Sequence, residues 1–359
     1  MKVLVDINDG GGKVVNTPPK ATAKKKVVKA SPSALISVNQ GNSIEKPINY
    51  KFYLDDGTDI TSHIGNPVLE DSTSTLAQSL SFQWIADGYL LECGDKIIVA
   101  EDEVKIFNGI VTSFSLGMNN EYSAKCYDYA FYLNKSEMII QFNEVRADTA
   151  IRQMCSKAGI KLGSVCSIST KITQIYYGKT PANILKDILN KAYNELGKNY
   201  RFEMKNNALY IEEYKNLTID LSKELQYASI SCEKSIEEMK NAIVIVVNDD
   251  EDYIYCSTRD EASIKKYGLL QKVQSVSADN AAQARNTMNV LKNNLNRVQQ
   301  TFSIQIPVVK GCRSGRVFKL DYEPFKVSGN FLINSCKKNL YGDFYMDLEV
   351  GLIEAKAGV

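Results

Sequence analysis

The 359-residue sequence contains a single histidine, His63, and a single tryptophan, Trp84. A Ser-His-Asp or Cys-His machine needs an imidazole to shuttle its proton, so that chemistry has one candidate base, in the loop-like stretch Thr61-Ser62-His63-Ile64-Gly65. It reads as an exposed loop residue. A G-x-S-x-G elbow, an H-E-x-x-H helix, a Walker A loop and a G-x-G-x-x-G turn are all missing, which removes the usual support for hydrolase, zincin, P-loop and dinucleotide-binding readings. Clustered cysteine is missing too. Cys93, Cys126, Cys155, Cys166, Cys232, Cys256, Cys312 and Cys336 are spread without a C-x-x-C pair, and read as reduced thiols rather than a disulfide framework or a zinc site. Net charge is nearly absent: 43 Lys plus Arg against 42 Asp plus Glu leaves +1, without the positive field that holds nucleic-acid phosphates. No apolar run approaches the roughly 20 residues of a membrane helix, and the amino terminus lacks the apolar core of a signal peptide. The expectation is a chain made and folded in a reducing cytoplasm, with no membrane span and no specific nucleic acid.

What is present is a soluble globular composition, 44% apolar and 24% charged, long enough for two or three domains of about 100 to 150 residues. Residues 1–46 differ from the rest. Gly10-Gly11-Gly12, Pro18-Pro19 and the cations Lys20, Lys24, Lys25, Lys26 and Lys29 predict a basic, flexible or extended arm. Over 47–135, short strands alternate with polar turns. Tyr50–Leu54 ends at Asp55-Asp56-Gly57, and Leu80, Phe82 and Trp84 share one face of a period-two pattern. Lys96–Val99, Val104–Phe107, Ile110–Phe114 after Gly109, Tyr122–Tyr127 and Asp128–Leu133 follow, a pattern of a small barrel or sandwich.

The period changes to helical over 136–215, an α/β insert. Ala150, Ile151, Met154, Cys155 and Ala158 form one stripe, stopped at Gly159. Thr180 as N-cap and Pro181 at the first position open a second helix whose apolar face is Ile184, Leu185, Ile188, Leu189 and Ala192. Tyr200–Met204 and Leu209–Ile211 around Asn206-Asn207 predict a hairpin. Strand text resumes over 216–359, with Ile243–Val247 as a buried strand, a helix near 278–296 opened by Ser277–Asn280, and strands around Phe302–Ile306, Val317–Leu320, Asn330–Ile333 and Phe344–Val350, the last turned by Gly342-Asp343. The fold class is therefore α+β, mostly β.

No catalytic, cofactor-binding or metal-ligating residue is expected. The acidic turn Asp249-Asp250-Glu251-Asp252 offers carboxylates, but consecutive ones cannot converge on a cation and the EF-hand spacing is missing, so it reads as a solvated hairpin tip. Two carboxylates at the right separation suffice for a glycosidase, which keeps a cell-wall (peptidoglycan) hydrolase as an alternative. The 20 tyrosines keep open a receptor-binding or carbohydrate-binding alternative, although they are scattered over every segment.

The order of elements resembles the hub family of contractile tails: the T4-type baseplate hub, the late control protein D group and the hubs of PBSX-like prophages and tail bacteriocins. The residues that carry the resemblance are Leu80-Ser81-Phe82-Gln83-Trp84, Gly94–Val99, Ile106–Val111 and Ala124–Leu133, with Val327–Ile333 and Met346–Val350 late in the chain. The resemblance implies two tube-like β-barrels, at 47–135 and 216–359, flanking the insert. It implies a homotrimer in which three chains present six similar units, joining a hexameric tail tube ring to a trimeric central spike beside other baseplate proteins. It also implies a location in the baseplate of a virion or tail-like particle assembled in a bacterial cytoplasm.

Overall fold

Alternation of apolar and polar residues builds the first part of the sheet. In a computed structural model, the described residues are 48–353, apart from 87–89, 118–121, 248–252, 277–280 and 342–344. The basic arm, the acidic turn Asp249–Asp252, the N-cap Ser277–Asn280 and the Gly342-Asp343 turn lie outside them. Strands β1 (Tyr50–Leu54), β2 (Ile64–Ser72), β3 (Ser79–Trp84), β4 (Lys96–Glu101), β5 (Val104–Leu116) and β6 (Tyr122–Asp128) pair antiparallel in the order β1-β4-β5-β6-β3-β2. In β3 the side chains of Leu80, Phe82 and Trp84 are buried while Ser81 and Gln83 face out, as the period predicts. They meet Phe52, Ile97, Val99, Phe107 and Cys126 in one core, so this part of the sheet curls around its own apolar face.

Two local expectations change. Gly109 does not separate two strands; it lies inside the 13-residue β5. A Cβ there would sit 2.2 Å from the Tyr127 carbonyl oxygen on β6 and 2.6 Å from the Phe107 ring, so the residue permits a close approach rather than a turn. The stretch after Asp128 is a single helical turn, α1 (Ala130–Leu133), with the Asp128 side chain accepting the Ala130 N–H at 3.0 Å.

The insert contains β7 (Met138–Arg146), α2 (Ala147–Lys157), β8 (Leu162–Val165), β9 (Lys171–Lys179), α3 (Pro181–Leu196), β10 (Tyr200–Lys205) and β11 (Ala208–Glu213). The Thr180 side chain caps α3 by accepting the Asn183 N–H at 3.3 Å, with Pro181 at the first position. Ile184, Leu185, Ile188 and Leu189 bury their stripe against Ile151 and Met154 of α2. Asn206 and Asn207, both left-handed at φ 49° and 62°, make the two-residue turn of the β10–β11 hairpin.

The remaining chain departs further from expectation. After β12 (Ser229–Ser235) come β13 (Ala242–Val247), β14 (Tyr253–Arg259), α4 (Glu261–Tyr267), β15 (Gln271–Val276) and α5 (Ala281–Leu295), and only then β16 (Gln299–Pro307), β17 (Val317–Tyr322), β18 (Val327–Asn339) and β19 (Tyr345–Leu352). Ile243 and Ile245 are buried, but in a separate three-stranded sheet, β14-β13-β15, that α5 covers through Ala284 and Met288. The helix expected within the second β unit thus packs on its own small sheet and on α3, where Asn286 Nδ2 donates to the Glu195 carbonyl at 2.7 Å. Phe302, Ile304, Phe318, Phe331, Ile333 and Val350 form the core of β16–β19.

The β strands outside these modules do not form two separate closed barrels among the described residues. They form one 11-stranded sheet, running β1-β4-β5-β6-β3-β2-β18-β19-β16-β12, with β17 on β18. The length of β18 is the cause. One edge pairs with β17 over Val327–Leu332 and then, past a bulge, with β2 over Ser335–Asn339, while the other edge holds β19. The edge that a barrel would close on its own first strand is given to the other half. The mostly β class stands, as two curled halves with separate cores joined at the β2–β18 seam. No helix among the described residues is long and apolar enough to cross a membrane.

Candidate functional site

His63 ends a short 3-10 turn, Thr61–His63, ahead of β2. Its ring stacks on Trp84 with centroids 5.2 Å apart and its Nδ1 lies 2.9 Å from the Ile85 carbonyl oxygen. A carbonyl only accepts, so Nδ1 carries the proton and the ring is a partly buried packing element rather than the exposed loop residue expected. The eight cysteines are unpaired, with Cys126, Cys155, Cys312 and Cys336 buried and Cys93 exposed.

The chemistry of the molecule is concentrated at the β2–β18 seam, at residues that sequence reading did not single out. Asp71 of β2, 4% exposed, stands opposite Cys336 of β18. Its Oδ2 accepts from Arg313 Nε at 2.8 Å and its Oδ1 lies 3.3 Å from Arg201 Nη2. Arg201 belongs to β10 of the insert and also donates to Ser314 Oγ at 2.8 Å and to the Ser72 carbonyl at 3.3 Å. Glu203, two residues further along β10 and 2% exposed, takes both Arg316 Nη1 and Nη2 at 3.1 Å, with Lys205 Nζ at 2.7 Å and Arg313 Nε at 3.4 Å. A neighbouring group on the first half, Tyr50 donating to Glu101 at 3.0 Å, lies under Lys338 of β18.

Local backbone makes this possible. Arg201 and Glu203 alternate with Tyr200, Phe202 and Met204, so they occupy the outward face of β10, and the turn carrying Arg313, Ser314 and Arg316 closes over that face. Gly315 in that turn has φ +76°, and a Cβ there would meet Arg201 Nε at 2.7 Å. Only glycine supplies both the conformation and the clearance. The resulting cluster ties β2, the insert hairpin and the 311–316 turn together with charge-assisted bonds, in a place where an unpaired charge is costly.

Burial and charge divide the acids. Burial alone would raise the Glu203 carboxyl, but the guanidiniums of Arg313 and Arg316 overcome it and hold it at about 2. Asp128, at the end of β6, is pushed up to about 7 by burial, against the pull of Arg313. Glu203 therefore contributes stability that is present above the ordinary carboxylate range and lost as pH falls toward 2. Asp128 does the reverse, its cost growing as pH rises from its ordinary value of 3.8 to about 7.

Beside the cluster lies a cavity of about 270 Å³, lined by Asp71, Asp128, Arg313, Arg316 and Lys338 among others. Among the described residues no three His, Cys, Asp or Glu side chains gather as a metal site. The arrangement is suited to fixing the relative positions of the two halves and the insert.

Removing one charge tests that. Asp71→Ala leaves Arg201 and Arg313 buried beside each other and is expected to lower unfolding free energy by about 3 to 5 kcal/mol in urea titration, whereas Glu144→Ala, breaking an exposed pair, costs less than about 1 kcal/mol. Asp128→Asn is expected to raise the melting temperature at pH 8 and leave it nearly unchanged at pH 4. A gain at pH 4 equal to that at pH 8 would contradict the assigned titration.

The model of the YQBQ-like family matches residues 68–351. Uncharacterized protein YqbQ of Bacillus subtilis (strain 168) is 23% identical over 217 residues, 59% of this chain, and the match spans 66% of that protein, just under two thirds of its length. Among solved structures, the 43 kDa tail protein of prophage MuSo2 from Shewanella oneidensis superposes with a TM-score of 0.64 at 10% identity, covering 84% of this chain and 98% of that one. The tail protein from Neisseria meningitidis MC58 gives 0.64 at 15% identity, covering 84% and 96%. Prophage tail protein gp18 from Listeria monocytogenes EGD-e gives 0.59 at 12%, covering 86% and 95%. The fold is the one these tail proteins share, and with 68–351 matched the chain belongs to the YQBQ-like family.

Proposed function

We propose that this protein is a non-enzymatic structural component of a phage tail or tail-like bacteriocin, and within it the baseplate hub: a homotrimeric ring on which the tail tube is built and to which the central spike attaches. The observation that carries the reading is the likeness in fold to three tail proteins over 95% or more of their lengths, which leaves little of any of them unmatched. The particle would be assembled in a bacterial host, with other baseplate proteins as further partners.

The sheet supports the finer reading. Two curled halves, of six and five strands, lie in one chain, so three chains would present six half-sheets, a pseudo-sixfold face for a hexameric tube above a threefold base for a spike. Of the two end strands, β12 pairs on one side only among the described residues, whereas the second edge of β1 is covered by the following turn, through a bridge from Tyr53 to Asp59 and the Ile60 N–H donating to the Phe52 carbonyl at 2.9 Å. The unpaired edge of β12 is a template for a neighbour, and a heterologous contact made through it would close into a ring. The basic arm, 1–46, is a further element for contacts within such an assembly.

Light scattering on the purified chain, alone and mixed with a central spike protein of the same particle, should give a mass three times the 40.1 kDa of one chain in at least one condition. A monomer in both, especially one that clears peptidoglycan in a zymogram, would overturn the hub reading.

A further inference from the structure

The cavity at the seam has more cationic donors than its own acids use. Arg313 spends Nε on Asp71 and Nη1 on the Met204 carbonyl, at 3.3 Å, with no hydrogen bond from Nη2 among the described residues. Lys338, 5% exposed, donates to the Val309 carbonyl at 3.3 Å and meets Glu101 only at 3.9 Å, beyond hydrogen-bond length. Lys105 of β5 lines the same cavity, is exposed, and has no ion pair among the described residues. The acids are already engaged: Asp71 by Arg201 and Arg313, Glu203 by Arg313, Arg316 and Lys205. Asp128, the remaining acid on the wall, is held partly neutral by its burial, so it adds less than a full negative charge near pH 7.

Guanidinium and ammonium donors that open onto a cavity with hydrogen-bonding capacity to spare take an opposite charge as their strongest partner. The space, about 270 Å³, admits a small ion of several heavy atoms together with ordered water. We propose that this cavity binds a small multivalent oxyanion, a phosphate or a short polycarboxylate, held by Arg313 and Lys338 inside and by Lys105 at the mouth. Because its walls come from β2, β5, β18, the insert hairpin and the 311–316 turn, a bound anion would bridge both halves of the sheet and the insert.

Isothermal titration of the full chain with inorganic phosphate and, separately, citrate, at fixed ionic strength made up with chloride, reads this directly. Saturable binding of at least one at a single site is expected. Lys338→Met, which keeps the aliphatic stem and leaves Glu101 bonded to Tyr50, should weaken it about tenfold. Lys105→Ala, a substitution on an exposed position that leaves the fold intact, should weaken it severalfold, and Lys319→Ala, at an exposed position of β17, should not change it. No saturable binding of either anion, or wild-type affinity in both Lys338→Met and Lys105→Ala, would overturn the proposal.

Discussion

The Asp71 carboxylate is the point on which the geometry of the molecule depends. It sits on the strand that joins the two halves of the sheet and holds a guanidinium from the insert on one oxygen and one from the second half on the other. Three segments far apart in the chain, around residues 71, 201 and 313, become one body through this group. Ion pairs so deeply buried add little net stability over well-packed apolar residues, because desolvation offsets most of the attraction. What they supply is intolerance of alternatives: an apolar seam could slide or re-register, whereas this one loses several kcal/mol if any charge is left without its partner. With Glu203 and Arg316 beside it, and Gly315 making room for Arg201, the seam specifies one relative placement of its parts.

That specificity matches what a ring component needs. In the proposed trimer the angle between the two halves would have to stay fixed for six half-sheets from three chains to lie on one circle. Strand β18 passes its edge from β17 to β2 beside a bulge in its pairing with β19, and the ion cluster locks that passage. The α/β insert, tied to the seam through Arg201 and Glu203 of β10, is joined to the β13–β15 unit through α3 and α5.

How much of this was legible in the sequence follows from periodicity. The β3 alternation and the α3 stripe with its Thr180-Pro181 start stood out because one face of each is continuously apolar. In β9 only Ile172 and Tyr176 are buried, while Ile175 and Tyr177 are exposed, so no alternation marks it as a strand and it went unread. Gly109 suggested a break because glycine usually does, and its real role, clearance for the Tyr127 carbonyl, depends on a strand paired with it only in the fold. The ion cluster was hidden for a related reason. Arg201 and Glu203 occupy the polar positions of an alternating strand, which a single sequence assigns to solvent, and the turn that buries them lies more than a hundred residues away. Two separate barrels are what the resemblance to the contractile-tail hubs implies; the fusion of the halves rests on the length of one strand, which the sequence pattern gives as Asn330–Ile333.

The central claim is that the seam makes the two halves of the sheet one cooperative body. Trp84, the single tryptophan, lies in the core of the first half, so its fluorescence reports that half alone, while far-ultraviolet circular dichroism reports the whole chain. In a urea titration followed by both signals on one sample, a locked seam predicts coincident transitions for Trp84 and for the main loss of strand signal. A Trp84 transition completed while most strand signal persists would show that the halves unfold independently, and would contradict the account.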